Sequence, residues 1–166
     1  LTMITDTIDG ATDIQSVRYM TGTEWLIGGI NLDNEEGELY VLDTSDDSTT
    51  RVGIGLGIYD IKAIASSGTT VVVASRDESI GGGPSGVFVS AVSTISFVNE
   101  SLSGDDPFSV KYSDSRYVAI HSDGRVTWST DDGATWSEYS LPVGSGRTLL
   151  YDGSAWWFFG GNGVTV

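Results

Sequence analysis

Ser129-Thr130-Asp131-Asp132-Gly133-Ala134-Thr135-Trp136 decides the fold, because its residue types and spacing suit a tight turn between two β-strands. Asp131 can fold its carboxylate onto nearby backbone N–H groups, and Gly133 can take the positive φ that a tight turn demands. Trp136 then opens the return strand with a large apolar surface. The apolar run Val126-Thr127-Trp128 directly before the stretch supplies the outgoing strand.

The pattern Ser-x-Asp-x-Gly-x-Thr-Trp resembles the Asp-box (BNR) repeat of sialidase-like β-propellers, with Ser129, Asp131, Gly133, Thr135 and Trp136 at its fixed positions. The resemblance implies a propeller in which the box is a structural turn with a buried carboxylate. It names no substrate.

Composition narrows the class. A chain of 166 residues with 39% apolar residues can bury one domain-sized core. Its formal charge of −15 argues against nucleic acid or an anionic membrane as partner, since phosphate binding needs clustered Lys and Arg. A basic protein, a cation or a neutral glycan is compatible with it. Without cysteine there is neither a disulfide framework nor a thiolate metal site. No apolar run approaches the length of a membrane-spanning helix, and the start of the chain shows no basic segment followed by an apolar stretch. Leu1 in place of an initiator Met suggests a processed chain or one whose start was not recovered.

Gly, Ser, Thr and Asp punctuate short runs rich in Val, Ile, Tyr, Phe and Trp, which predicts an all-β protein of many short strands. Those runs repeat. Ser16-Val17-Arg18-Tyr19, Ala63-Ile64-Ala65-Ser66, Ser109-Val110-Lys111-Tyr112 and Thr148-Leu149-Leu150-Tyr151 each precede a polar turn and a second apolar run. The second runs begin at Trp25, Val71, Tyr117 and Trp156. The offsets, 63−16 = 47, 109−63 = 46 and 148−109 = 39, match a four-stranded propeller blade of roughly 40–50 residues. Laying Val87 on Val126 puts Ser90 on Ser129 and Phe97 on Trp136, so the second repeat carries a degraded box in which Val92 and Thr94 replace Asp131 and Gly133. Asp43-Thr44-Ser45-Asp46-Asp47 is the looser counterpart in the first repeat.

These repeats predict a single β-propeller domain over residues 1–166, with four blades of four antiparallel strands at 14–60, 61–107, 108–146 and 147–166 plus 1–13. Gly163-Val164-Thr165-Val166 reads as a third strand and Leu1 to Thr5 as a fourth, so pairing the two ends closes the ring and removes exposed sheet edges.

In sialidase-like proteins the ligand lies on the face opposite the boxes, where strand two leads to strand three and one blade to the next. By that resemblance Arg76, His121, Arg125 and Arg147 mark the rim of a ligand face, among acids that include Asp33, Glu36, Asp106 and Asp123. The resemblance also implies, for an active sialidase, three arginines on the substrate carboxylate and a tyrosine–glutamate nucleophile pair; the Arg-Ile-Pro motif of those enzymes is absent. Tyr59-Asp60 and Glu138-Tyr139 are adjacent pairs, and neighbours on a strand point to opposite faces, which suits neither to proton exchange. No cofactor is expected. Ca²⁺ is the one metal considered, through Asp33-Asn34-Glu35-Glu36 or Asp43, Asp46 and Asp47, though neither has the spacing of a calcium loop and solvated acidic turns are the favoured reading. His121, the only histidine, rules out sites of two or three histidines. Trp156 and Trp157 point to opposite sides of a strand and are read as packing between blades.

The resulting reading is a non-catalytic propeller module, extracellular or virion-associated as in phage appendages, that acts as a structural element or binds a glycan or protein, alone or as a homo-oligomer. The alternative is a sialidase-like glycoside hydrolase or a fragment of one, and a third reading is half of a larger ring completed by a second copy, since matching ends can pair between chains as well as within one.

Overall fold

A computed structural model describes residues 12–33, 36–52, 60–76, 85–100, 106–141, 145–161 and 163–165. Its strands form four antiparallel sheets in chain order. Blade 1 holds β1 (Thr12–Thr21), β2 (Glu24–Asn31), β3 (Glu36–Asp43) and β4 (Ser48–Val52). Blade 2 holds β5 (Asp60–Ser66), β6 (Thr70–Arg76), β7 (Gly86–Ala91) and β8 (Val98–Asn99). Blade 3 holds β9 (Pro107–Ser113), β10 (Arg116–His121), β11 (Arg125–Ser129) and β12 (Ser137–Ser140). In blade 4, β13 (Gly146–Tyr151), β14 (Trp156–Gly160) and β15 (Gly163–Thr165) form a sheet of three strands. The all-β propeller of four repeats is therefore the architecture, and β15 is the third strand of blade 4. The closing strand expected at Leu1 to Thr5 lies outside the described residues.

The core sits in the seams between blades, for a reason visible in the strand period. Successive side chains on a strand point to opposite faces, so a strand with a blade on each side must be apolar throughout. In β6 this separates Val71 and Val73, which join Leu26, Leu39, Ile61, Ile64 and Phe88 in the seam between blades 1 and 2, from Val72 and Ala74. Those two join Ala65, Val87, Val110, Tyr117 and Ala119 in the seam between blades 2 and 3. The third seam is filled by Val118, Ile120, Val126 and Leu149, with Trp156 and Phe158 packed against them.

The inner strands approach closely. A Cβ placed on Gly146 would lie 2.2 Å from Ile120 Cγ1 and 2.6 Å from the His121 carbonyl oxygen, so only glycine lets β13 start against blade 3.

Candidate functional site

The stretch Ser129 to Trp136 forms the turn from β11 to β12, and its residues are tied as a unit. Ser129, 1% exposed, accepts the N–H of Gly133 at 2.9 Å and donates to Asp131 at 2.8 Å. Asp131 in turn accepts the Thr135 amide at 2.9 Å and the Thr135 hydroxyl at 2.5 Å. The Thr135 hydroxyl, the Thr135 amide and the Ser129 hydroxyl hold the Asp131 carboxyl down at about 2. Trp136 donates its indole N–H to the Gly133 carbonyl at 3.1 Å. One expectation is corrected: Asp131 is exposed, because Thr135, which supplies two of its donors, is itself at the surface, and the buried anchor of the turn is the Ser129 hydroxyl.

The same turn also reaches across a seam. Asp132 accepts hydrogen bonds from the hydroxyls of Thr69 (2.6 Å) and Thr70 (2.8 Å) in the β5–β6 turn of blade 2. Tyr117 of β10 donates its hydroxyl proton to the Thr70 carbonyl at 2.6 Å and accepts the Ser67 amide at 2.8 Å. Burial pushes the Tyr117 hydroxyl up to about 12, so it stays protonated and able to donate.

On the opposite face, Arg76, His121, Arg125 and Arg147 all stand at or beside the strand ends where the ligand face was expected. Their environments differ. Arg76, at the end of β6, pairs with Asp106 at 3.1 Å and lies 4.6 Å from the centre of the Phe108 ring. The exposed Arg147, near the start of β13, lies 4.8 Å from the centre of that same ring. Two guanidinium groups from blades 2 and 4 thus meet on one aromatic ring at the start of β9. A cation over the negative face of a ring gains electrostatically, and the planar guanidinium keeps its N–H edge for a carboxylate.

The other two do not form the expected rim. His121 is 1% exposed, with Nε2 at 2.9 Å from the Thr127 hydroxyl, because it packs between β9 and β11 within blade 3. Arg125 is buried too, held by Asp123 at 3.5 Å and by Glu138 of β12 at 3.4 Å. Arg125 therefore serves the outer part of blade 3, while Arg76 and Arg147 share Phe108 on its innermost strand. Glu138 belongs to that ion pair and its neighbour Tyr139 is exposed, on opposite sides of β12 as the strand period requires. Tyr59 lies outside the described residues.

The acidic turns are self-contained. Asp43 accepts from the Thr23 hydroxyl at 2.7 Å and the Ser45 amide at 2.8 Å, and Asp46 accepts the Ser48 amide at 3.0 Å. Asp33 donates its own amide to Asn31 Oδ1 at 2.9 Å, and Asn34 and Glu35 lie outside the described residues. Among the described residues no group of three acidic or histidine side chains is placed to hold a metal. Among them, too, no helix is long and apolar enough to cross a membrane.

Local sequence pattern does not mark Phe108, because nothing in it pairs that ring with two arginines. Two carboxylates also gain their partners only in the fold. Glu38, buried in β3, accepts from the Tyr40 hydroxyl at 2.7 Å and pairs with Arg51 at 3.3 Å. Asp60, buried at the start of β5, binds Lys62 and accepts from Gln15 of blade 1 at 3.2 Å.

No family model matches the sequence, and no curated protein matches it. Solved structures do match in shape. The chain is similar to the computationally designed Ika4 protein at 14% identity and a TM-score of 0.71, over 96% of this chain and 93% of that one. It is similar to YCF48 from Cyanidioschyzon merolae at 10% identity and a TM-score of 0.68, over 96% of this chain and 55% of that one. YCF48 bound to D1 peptide matches at 12% identity and a TM-score of 0.69, over 92% of this chain and 48% of that one. The chain thus spans about half the length of the YCF48 chains it matches. At these identities the likeness establishes the propeller fold alone.

Proposed function

We propose that this chain is a non-catalytic propeller module that binds a protein segment at the patch formed by Arg76, Phe108 and Arg147. One observation carries the reading: on a chain of formal charge −15, two guanidinium groups from different blades converge on one aromatic ring. A carboxylate on the partner gains charge-assisted hydrogen bonds there, and an apolar side chain beside it can rest on the ring edge. That YCF48, a propeller of similar shape, is seen bound to a D1 peptide supports a peptide as the ligand class. The separate engagement of Arg125 with Asp123 and Glu138 weighs against a sialidase-type grip by three arginines.

Selection from a displayed peptide library tests this. Carboxylate-bearing peptides should be enriched, and Arg147→Ala should weaken the best of them about tenfold, the value of one charge-assisted contact. Selected peptides that bind Arg147→Ala and Phe108→Ala as well as the parent would remove the reading. A fluorogenic sialoside should show only background hydrolysis from acid to neutral pH. Turnover lost in both Arg76→Ala and Arg147→Ala would establish the hydrolase instead.

A further inference from the structure

The repeat register assigns every blade a face toward its predecessor and a face toward its successor, and among the described residues the two outermost of these faces carry apolar side chains that are only partly covered. Val17 in β1, Ile64 in β5, Val110 in β9 and Leu149 in β13 occupy the same place in their blades, each paired with the third residue of the following run. The last three are buried against the preceding blade, whereas Val17 is 54% exposed. Trp25 matches Val71 and Tyr117, both fully buried, yet it is 37% exposed and rests edge-on against the exposed Tyr19, 5.4 Å between ring centres. On the same face Ile27, Tyr40 and Leu42 are buried, so the part of blade 1 left to receive a partner is its Val17–Tyr19–Trp25 side.

Blade 4 shows the reverse. Trp157 occupies the place of Leu26, Val72 and Val118, which are all buried against the following blade. It is only partly covered, and its cross-strand neighbour Leu150 is 50% exposed. Phe159 continues the same face. Among the described residues β1 packs on β5, β5 on β9 and β9 on β13, while β13 and β1 share no comparable contact.

We propose that these end faces meet between two copies of this chain, with blade 4 of each copy packed on blade 1 of the other, so that two arcs close one ring. The missing partner of the Val17 side must resemble the successor face of a blade, and this chain carries such a face, half-exposed, at its other end. Two observations favour a second copy over closure of one chain on itself. Three packed seams hold the blades in sequence, and among the described residues β1 and β13 do not pack on each other as the other inner strands do. The four blades together also follow the curvature of longer propellers of which they cover about half, and two such arcs related by a two-fold axis complete the turn. Large apolar faces left in water favour association, and their continuity with the three internal seams gives this contact its geometry. The interface is independent of the Arg76–Phe108–Arg147 patch.

Mass measurement by light scattering coupled to size exclusion tests it, with circular dichroism confirming that each variant is folded. The unmodified chain should have the mass of two copies. Val17→Asp and Leu150→Asp, both at half-exposed positions, should each fall to one copy, because each lesion spoils both seams of the ring. An equimolar mixture of the two variants should recover mass of two copies, since one seam then joins two intact faces. One-copy mass for the unmodified chain at every concentration would overturn the proposal. So would insensitivity to Leu150→Asp, which marks a contact between two blade 1 faces, or a mass that grows without limit, which marks an arc that does not close. Should either aspartate variant fail to fold, Tyr19→Ser and Leu150→Ser replace the pair with the same expected outcomes.

Discussion

Two turns that begin from equivalent buried serines end differently. After β11, Ser129 accepts the amide four residues on, the chain reverses through Asp132 (φ 60°) and Gly133 (φ 93°), and Asp132 reaches two threonine hydroxyls of blade 2. After β7, Ser90 accepts the amide six residues on, from Ser96 at 2.7 Å, and the left-handed position falls on Ile95 (φ 29°), a β-branched residue that tolerates it poorly. Here one end of the seam, beyond its filled core, stays open. A groove of about 700 Å³ runs between blades 1 and 2, lined by Met20, Thr21, Glu24, Val92, Thr94 and Ile95 among others. The serine sets the start of the turn in both blades, and the aspartate and glycine positions decide whether the turn also seals the seam.

Breaking the glycine should have the largest effect. A Cβ on Gly133 would lie 2.9 Å from Val89 Cγ1 of blade 2, at a φ that L side chains rarely adopt. Gly133→Ala is expected to cost about 2–3 kcal/mol, read by denaturant unfolding, as strain and clash combine. Thr94→Ala in the degraded turn should stay within about 0.5 kcal/mol of the parent, the range of an ordinary surface change. Equal costs for the two would erase the distinction drawn between the turns.

Removing the shared serine comes next. Ser129→Ala leaves the buried Gly133 amide unpaired and frees Asp131 from one of its donors, which should cost about 2 kcal/mol. Ser90→Ala removes the acceptor of the Ser96 amide and a bond donated to the neighbouring Ala91 carbonyl, and should cost about 1 kcal/mol. A larger loss at Ser90 than at Ser129 would show that the degraded turn is the more tightly built.

The smallest effect concerns pH. Hydrogen bonds hold the folded Asp131 carboxyl at about 2, below the ordinary 3.8, so its contribution to stability is complete above 3.8 and disappears as pH falls through about 2. The melting temperature should drop over that window, and Asp131→Asn should flatten part of the drop. Asp43, Asp132 and Asp152 are also lowered and should supply the rest. An unchanged pH profile in Asp131→Asn would mean that the bonds to Thr135 are not held in solution.

The blades and their limits were legible because strand alternation and turn chemistry are local. Val71, Tyr117 and Trp156 announced second strands, and Asp131 with Gly133 announced a turn, from neighbours within a few residues. The same local rules determined that Trp156 and Trp157 face opposite sides, as Trp156 with Tyr151 toward blade 3 and Trp157 with its indole N–H on Asp152 at 2.6 Å confirm. What is at stake between distant residues was beyond that reach. Only the tertiary structure brings Arg76 and Arg147 onto Phe108, buries His121 and Arg125 at strand ends that sequence marks as rim, and lets Asp132 bridge to Thr69 and Thr70. The sequence by itself determined the period of the strands, because that depends on backbone geometry and the next few side chains. The pairing of charges across seams and the half-exposed positions Val17 and Leu150 on the outer sides of blades 1 and 4 were decided by how whole blades pack, which is set by many side chains far apart in the chain.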